Sequence, residues 1–205
     1  MSPQFWAGKK VFLSGHTGFK GSWLSLWLQS LGAEVTGFAL PAPTSPSLFE
    51  LANVGHGMKS VIGDVRHLRD LTTALNASNP SIVFHMAAQP LVLKSYKNPR
   101  ETFDVNVMGT VNVLDIAFRK DFIKAIVIVT TDKVYRNDNS GEMFIESDPL
   151  KGKDPYSASK VATESVVSAW QQIVKLRGGP KITAVRAGNV IGGGDWSENR
   201  LLPDI

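Results

Sequence analysis

Tyr156 and Lys160 lie four residues apart within a helical pattern and so share one helix face. A phenol has a free pKa of about 10 and needs help to act as a base near neutrality. An adjacent ammonium supplies that help by favouring the phenolate. Alone the spacing is weak, since this composition gives roughly 0.2 chance matches, and an exposed aromatic–lysine pair explains it as well. Thr131 adds weight. It stands just past an apolar strand over 125–130, and open α/β sheets hold ligands at that edge. Asp132 and Lys133 follow at once. By themselves they read as a surface ion pair or a loop turn.

A glycine-rich turn brings a second chemistry. A strand over 10–14 runs directly into Gly15-His16-Thr17-Gly18-Phe19-Lys20-Gly21, and then a helix begins. Gly15 permits the tight turn, Gly18 lets a pyrophosphate approach bare backbone, and Gly21 lets the helix pack on the strand. The free N–H groups at the helix start face the phosphates. A plain strand–turn–helix corner is the alternative, because three glycines so spaced arise by chance in about one such sequence in seven. Placement after the first strand of a βαβ unit favours the dinucleotide. The second strand ends Gly37-Phe38-Ala39-Leu40-Pro41, with no acid for a ribose 2′-hydroxyl and no arginine nearby for a 2′-phosphate. That favours NAD over NADP only mildly. Asp64, ending the third strand, suits the adenine amino group and a helix cap equally.

These residues need a frame. Strands are expected over 10–14, 34–40, 60–63, 81–86, 125–130 and 182–185, and helices over 19–31, 68–77, 99–119 and 155–175. Apolar strands alternating with helices argue for an α/β fold, a doubly wound parallel sheet with helices on both faces. Asn98 is expected to cap the helix that Pro99 opens, with Glu101 reaching back, and Asp154-Pro155 to start the next. Gly178-Gly179-Pro180 ends it. Gly and Pro gather at 37–57, 136–155 and 187–203, read as loops at the rim of the sheet.

Composition excludes several classes. At 205 residues, 43% apolar and 20% charged, the chain is neither disordered nor fibrous and is long enough for one buried core. No apolar run approaches the roughly 20 residues that cross a bilayer. No secretory signal is visible at the N-terminus. The 22 basic and 18 acidic residues are scattered, which does not suit a nucleic-acid or membrane surface. With no cysteine there is no disulfide or thiolate chemistry, and no metal site is expected. The default compartment is the cytosol.

In order, residues 15–21, Asp64-Val65, His85-Met86-Ala87-Ala88, Asn106-Val107-Met108-Gly109-Thr110, Thr131 and Tyr156-Ser157-Ala158-Ser159-Lys160 run along nearly the whole chain. Together they resemble the extended short-chain dehydrogenase/reductase superfamily, in the branch acting on nucleotide sugars. The resemblance implies a Rossmann-like sheet and NAD held at Gly15, His16, Thr17, Gly18, Phe19, Lys20, Gly21, Asp64, Val65, Ala87, Ala88, Tyr156 and Lys160. It also implies catalytic Tyr156 and Lys160, with Thr131 on the reacting oxygen, and a homodimer formed through the two long helices. Thr130-Thr131-Asp132-Lys133-Val134-Tyr135 has lysine where most 4,6-dehydratases of the branch carry glutamate. With Ser22-Trp23-Leu24, Ser47-Leu48-Phe49-Glu50 and Asn189-Val190-Ile191-Gly192-Gly193-Gly194-Asp195-Trp196, it is similar to the CDP-glucose 4,6-dehydratases. That implies CDP-glucose as substrate, with Thr131, Asn189 and Arg200 among its contacts. The family continues well past residue 205. The expectation is therefore a Rossmann domain over 1–190, with 191–205 opening a substrate-binding region that is otherwise missing.

The implied reaction oxidises C4 of the sugar, eliminates water across C5 and C6, and returns the hydride to C6. Tyr156 takes the 4-OH proton, Asp132 is the acid at O6 and Lys133 the base at C5. In water the required Asp–H/Lys⁰ state lies roughly 9 kcal/mol above Asp⁻/Lys⁺. Another dehydratase, a 4-epimerase or a non-catalytic NAD-binding module are the alternatives. Bland readings cover the rest. His85 sits near the adenosine or packs beside its strand, and His16 lies in the loop near the phosphates. His56 and His67 are surface. Trp23 and Trp27 are core or interface. Asn106 steadies its helix against a strand end. Lys20 reaches a phosphate or is solvated.

Overall fold

The computed structural model of the chain describes residues 3–139, 141 and 143–198. Its elements, in chain order, are α1 (Pro3–Trp6), β1 (Lys10–Ser14), α2 (Phe19–Ser30), β2 (Glu34–Ala39), α3 (Leu48–Leu51), β3 (Lys59–Ile62) and α4 (Leu68–Ser78), then β4 (Ile82–His85), α5 (Val92–Lys97), α6 (Pro99–Phe103), α7 (Gly109–Phe118), β5 (Ala125–Val129), α8 (Pro155–Arg177) and β6 (Lys181–Val185). The six strands form one sheet in the order β3-β2-β1-β4-β5-β6, and every pairing is parallel. This is the doubly wound Rossmann order, in which the sequence of strands reverses between β1 and β4.

Alternation along the strands sends side chains to two cores. Phe12, Phe38, Ile126 and Ile128 pack with Leu71 and Leu75 of α4, Leu114 of α7 and Val167 of α8. Val11, Leu13, Val35 and Ile82 face the other way, onto Leu28 of α2 and Trp6. Beyond Ile182, β6 turns Lys181, Thr183 and Val185 to solvent on that second side, so helical cover is thinner over β5 and β6. Among the described residues no helix is long and apolar enough to cross a membrane.

The expected elements are present within a residue or two, and the differences have local causes. The helix expected over 99–119 is divided by a π-helical turn, Asp104–Met108, between α6 and α7. Such turns mark places where a side chain has a task other than packing. Asn98 does not cap α6 through its side chain, and Glu101 turns instead to Lys94 at 3.3 Å. Asp154 does cap α8, in a reciprocal capping box with Ser157. The helix ends where Gly178 takes φ 75°. The short helices α1, α3 and α5 lie in segments without helical periodicity and were not foreseen. Trp23 and Trp27 are 47% and 51% exposed, so they are not core. The Trp23 indole donates to the Gly193 carbonyl at 3.0 Å and pins residues 188–196 across α2.

Candidate active site at the carboxyl edge of the sheet

The glycine turn lies where β1 ends. Gly15 adopts φ 84°, and a Cβ there would meet the Ala87 nitrogen at 2.7 Å. A Cβ on Gly21 would run into the Gly15 carbonyl. Both glycines are thus set by contact between backbones. Gly18 caps α2 without any side-chain hydrogen bond, and the first turn of α2 carries no acid. A Cβ on Gly18 would meet nothing nearer than 3.5 Å. A helix N-terminus approached over bare backbone, with no competing carboxylate, suits a pyrophosphate.

Two of the expected cofactor residues look different in three dimensions. The His16 ring is fully buried over Gly37, bonded to Ser60 Oγ at 2.7 Å and edge-on to Phe49. Burial lowers its pKa to about 4 and leaves its Nδ1 without a hydrogen-bond partner. His16 thus lies in the loop as expected, with its ring turned into the fold and only its backbone left to face a phosphate. Asp64 accepts from the Arg66 backbone and is gripped by the Arg66 guanidinium, with Nη2–Oδ2 at 2.6 Å. That hydrogen bond first, against a smaller desolvation effect, holds its carboxyl below the usual range. Asp64 shapes the turn ahead of α4. Val65 packs under Gly109, and Ala87 under Gly15.

The chemistry-bearing residues converge on a cleft of about 330 Å³ at the carboxyl ends of β1, β4, β5 and β6. Its walls include Phe19, Lys20, Leu91, Thr131, Lys133, Tyr156 and Asn189. Asp132 lies beside it, within 3.5 Å of where a Cβ on Gly188 would stand. Arg200 falls outside the described residues, as does the whole segment 199–205. Of the wall residues, Asn189–Gly192 belong to the stretch singled out from sequence, whereas Pro90–Leu93, Ala187 and Gly188 were not, because loops that touch a ligand through backbone and apolar atoms leave no motif.

Tyr156 and Lys160 sit on the first turns of α8, where the capping box begins the helix. Tyr156 is 9% and Lys160 6% exposed. The Tyr156 N–H donates to Ser95 Oγ at 3.1 Å, and the Lys160 ammonium to the Val129 carbonyl at 3.2 Å. Burial, reinforced by Lys20 and opposed by Glu164, lowers the Lys160 pKa to about 8. Thr131 gives its hydroxyl proton to Asp132 Oδ1 at 3.2 Å and accepts the Lys133 N–H at 3.3 Å. The Lys133 ammonium lies between Asn189 Oδ1 at 3.2 Å and Asp132 Oδ1 at 3.8 Å.

A buried polar chain sets α8 against the sheet. Asn106, inside the π-helical turn, accepts from the Gln89 N–H and donates to the Gln89 carbonyl and to Ser159 Oγ. Ser159 in turn donates to the Tyr156 carbonyl at 2.6 Å. Thr110 donates its proton to the Asn106 carbonyl, so it can only accept from His85 Nε2. His85 Nδ1 then accepts from Ser14 Oγ, which already receives the N–H groups of Met86 and Ala87. His85 is therefore neutral with the proton on Nε2, and burial, then Lys160, lowers its pKa to about 3. Of its two sequence readings, packing beside the strand is the one that fits. Among the described residues, no group of three or more His, Asp or Glu could hold a metal ion.

Comparison with known proteins adds three findings. Residues 12–184 match the GDP-mannose 4,6 dehydratase family. The chain is 51% identical to the CDP-glucose 4,6-dehydratase of Salmonella typhimurium, over 98% of this chain and 57% of that protein. It superposes at TM-score 0.81 on two solved structures. One is Thermus thermophilus UDP-glucose 4-epimerase in complex with NAD, 29% identical, covering 92% of this chain and 58% of that one. The other is a double mutant of Streptomyces venezuelae dTDP-glucose 4,6-dehydratase with NAD bound, 25% identical, covering 95% and 60%. The chain thus spans little more than half the length of these relatives. Sheet order, glycine turn and the matched residues agree: the chain belongs to the GDP-mannose 4,6 dehydratase family of extended short-chain dehydrogenases/reductases.

Proposed function

We propose that the full-length protein is a nucleotide-sugar 4,6-dehydratase that converts CDP-glucose to CDP-4-keto-6-deoxyglucose with NAD as its resident cofactor. The observation that carries this reading is that Thr131, Lys133 and Tyr156 line one cleft, in a chain 51% identical to a CDP-glucose 4,6-dehydratase. NAD would be held at the Gly15–Gly18–Gly21 turn and supplies a reversible two-electron acceptor.

The remaining work falls to side chains. Tyr156, with Lys160 one helical turn on, takes the proton of the 4-hydroxyl as C4 is oxidised. Thr131 swings its hydroxyl from Asp132 to the same oxygen and fixes the sugar. The 4-ketone acidifies C5–H, and Lys133 removes that proton while Asp132 protonates O6, which leaves as water. Reduction at C6 and reprotonation of C5 complete the product. The Asp132–Lys133 pair must exchange a proton to take these roles, and a seated sugar favours the exchange by excluding water from both groups. Asn189 Oδ1 holds Lys133 toward the cleft. A 4-epimerase would have no use for Asp132 and Lys133.

We also place residues 191–205 at the start of a substrate-binding region following a Rossmann domain over 1–190, with Asn189 and Arg200 on the substrate. We also propose a cytoplasmic homodimer; exposed Phe103 at the end of α6 and Met108 in the π-helical turn support the dimer contact. The test is incubation of the full-length protein and NAD with a panel of nucleoside-diphosphate glucoses, followed by the alkali-shifted absorbance of a 4-keto sugar. CDP-glucose is expected to give the largest signal. A C4 epimer alone, or no product from any donor, would overturn the reading.

A further inference from the structure

Glu164 lies four residues after Lys160 on α8, hence on the same face. It is not part of the cleft wall. Its side chain is 11% exposed, and both oxygens are engaged. Oε1 accepts the Thr130 hydroxyl at 2.6 Å and Arg186 Nε at 3.0 Å, while Oε2 accepts Arg186 Nη2 at 3.1 Å. Arg186 stands one residue past β6, directly before the cleft wall at Ala187. Its Nη1 donates to the Glu146 carbonyl at 3.0 Å, and its guanidinium lies 4.8 Å from the centre of the Tyr135 ring. One ion pair therefore joins α8, the ends of β5 and β6, and the loop after Tyr135. Lys160 grips Val129, the residue next to Thr130.

An apolar pair of similar volume often stabilises a fold as well as a buried ion pair, so stability alone does not account for this one. Besides burial, two charged groups act on Lys160: Lys20 on α2 repels it and Glu164 on α8 attracts it. His85, which ends β4 nearby, is neutral. Tyr156 shares its helix face. We propose that Glu164, clamped by Arg186 and Thr130, is a positioning residue that keeps the buried Lys160 ammonium charged and in place behind Tyr156. The inference deepens the proposed function and rests on Tyr156–Lys160 being the proton-handling pair.

The sign of the effect separates this role from simple packing. Removing the carboxylate charge withdraws support from the ammonium, so Lys160 should lose its proton at lower pH. Loosened packing would admit water and move Lys160 the other way. The experiment follows the side-chain carbon resonances of labelled lysines in the intact protein through a pH titration. Lys160 is identified as the signal missing from Lys160→Met. In Glu164→Gln the Lys160 midpoint is expected to fall by about one pH unit. If that variant does not fold, Glu164→Gln/Arg186→Met leaves neither charge unpaired, and a smaller fall is expected. An unmoved or raised midpoint in the folded variant overturns the inference. Failure to form any 4-keto sugar would sink the proposed function instead and leave these midpoints unchanged.

Discussion

Two pairs that meet at one cleft are built in opposite ways. Tyr156 and Lys160 are buried, start a capped helix and are tied by hydrogen bonds to Ser95 and Val129. Asp132 and Lys133 sit on a three-residue 3₁₀ turn, with 50% and 42% of their side chains exposed. They hold mainly each other and Asn189. Groups locked by packing need no reorganisation at the moment of reaction, whereas exposed ones are screened by water until it is expelled. In the proposed reaction the C4 half is therefore built into the fold, and the elimination half waits for the sugar to dry it.

Substitutions can break this contrast. Tyr156→Phe should lower kcat by about 10³-fold with unfolding unchanged, since it removes one hydroxyl from a helix held by other contacts. Lys133→Met should lower 4-keto-6-deoxy product formation by about 10²-fold. It should also yield some 4-keto sugar that retains its 6-hydroxyl, visible by mass. Equal loss of C4 oxidation and elimination in that variant would erase the distinction. The buried half should be the fragile one. Asn106→Leu leaves the Gln89 N–H and carbonyl without their partner and should cost about 2 kcal/mol in urea unfolding. Acid should act on it too. His85 and His16 stay neutral in the fold down to about 3 and about 4, while in the unfolded chain they take up protons near 6.5. Their stabilising effect is fully present above 6.5 and is lost as pH falls toward the folded values. Each contributes up to about 1.4 kcal/mol per pH unit in that window. A shallower acid loss in His85→Gln, followed by unfolding midpoints, checks the assignment.

Much of the sheet was legible because β-branched runs such as 125–129 have one stable use, as buried parallel strands. The glycine turn was legible because its spacing is a backbone requirement, visible now as the clash of added Cβ atoms at Gly15 and Gly21. Tyr156, Lys160 and Thr131 were legible as residue types at a sheet edge. The π-helical turn was not, because nothing local marks it, and only Asn106 reaching Gln89 and Ser159 explains it. Asn98 misled for the converse reason: a residue suited to capping was read as doing so. His16 was placed by its neighbours in sequence, but its ring follows the space left by Gly37 on another strand. The Glu164–Arg186 pair joins residues 22 apart through the fold and carries no motif.

The central claim is a transient 4-ketone that loosens the hydrogen on C5. The direct measurement is turnover of CDP-glucose by the full-length protein in D₂O, with the product read by mass and NMR. The account predicts a 4-keto-6-deoxy sugar carrying one solvent deuterium at C5. A dehydrated product without deuterium at C5, or recovery of a sugar changed only in its C4 configuration, would contradict it.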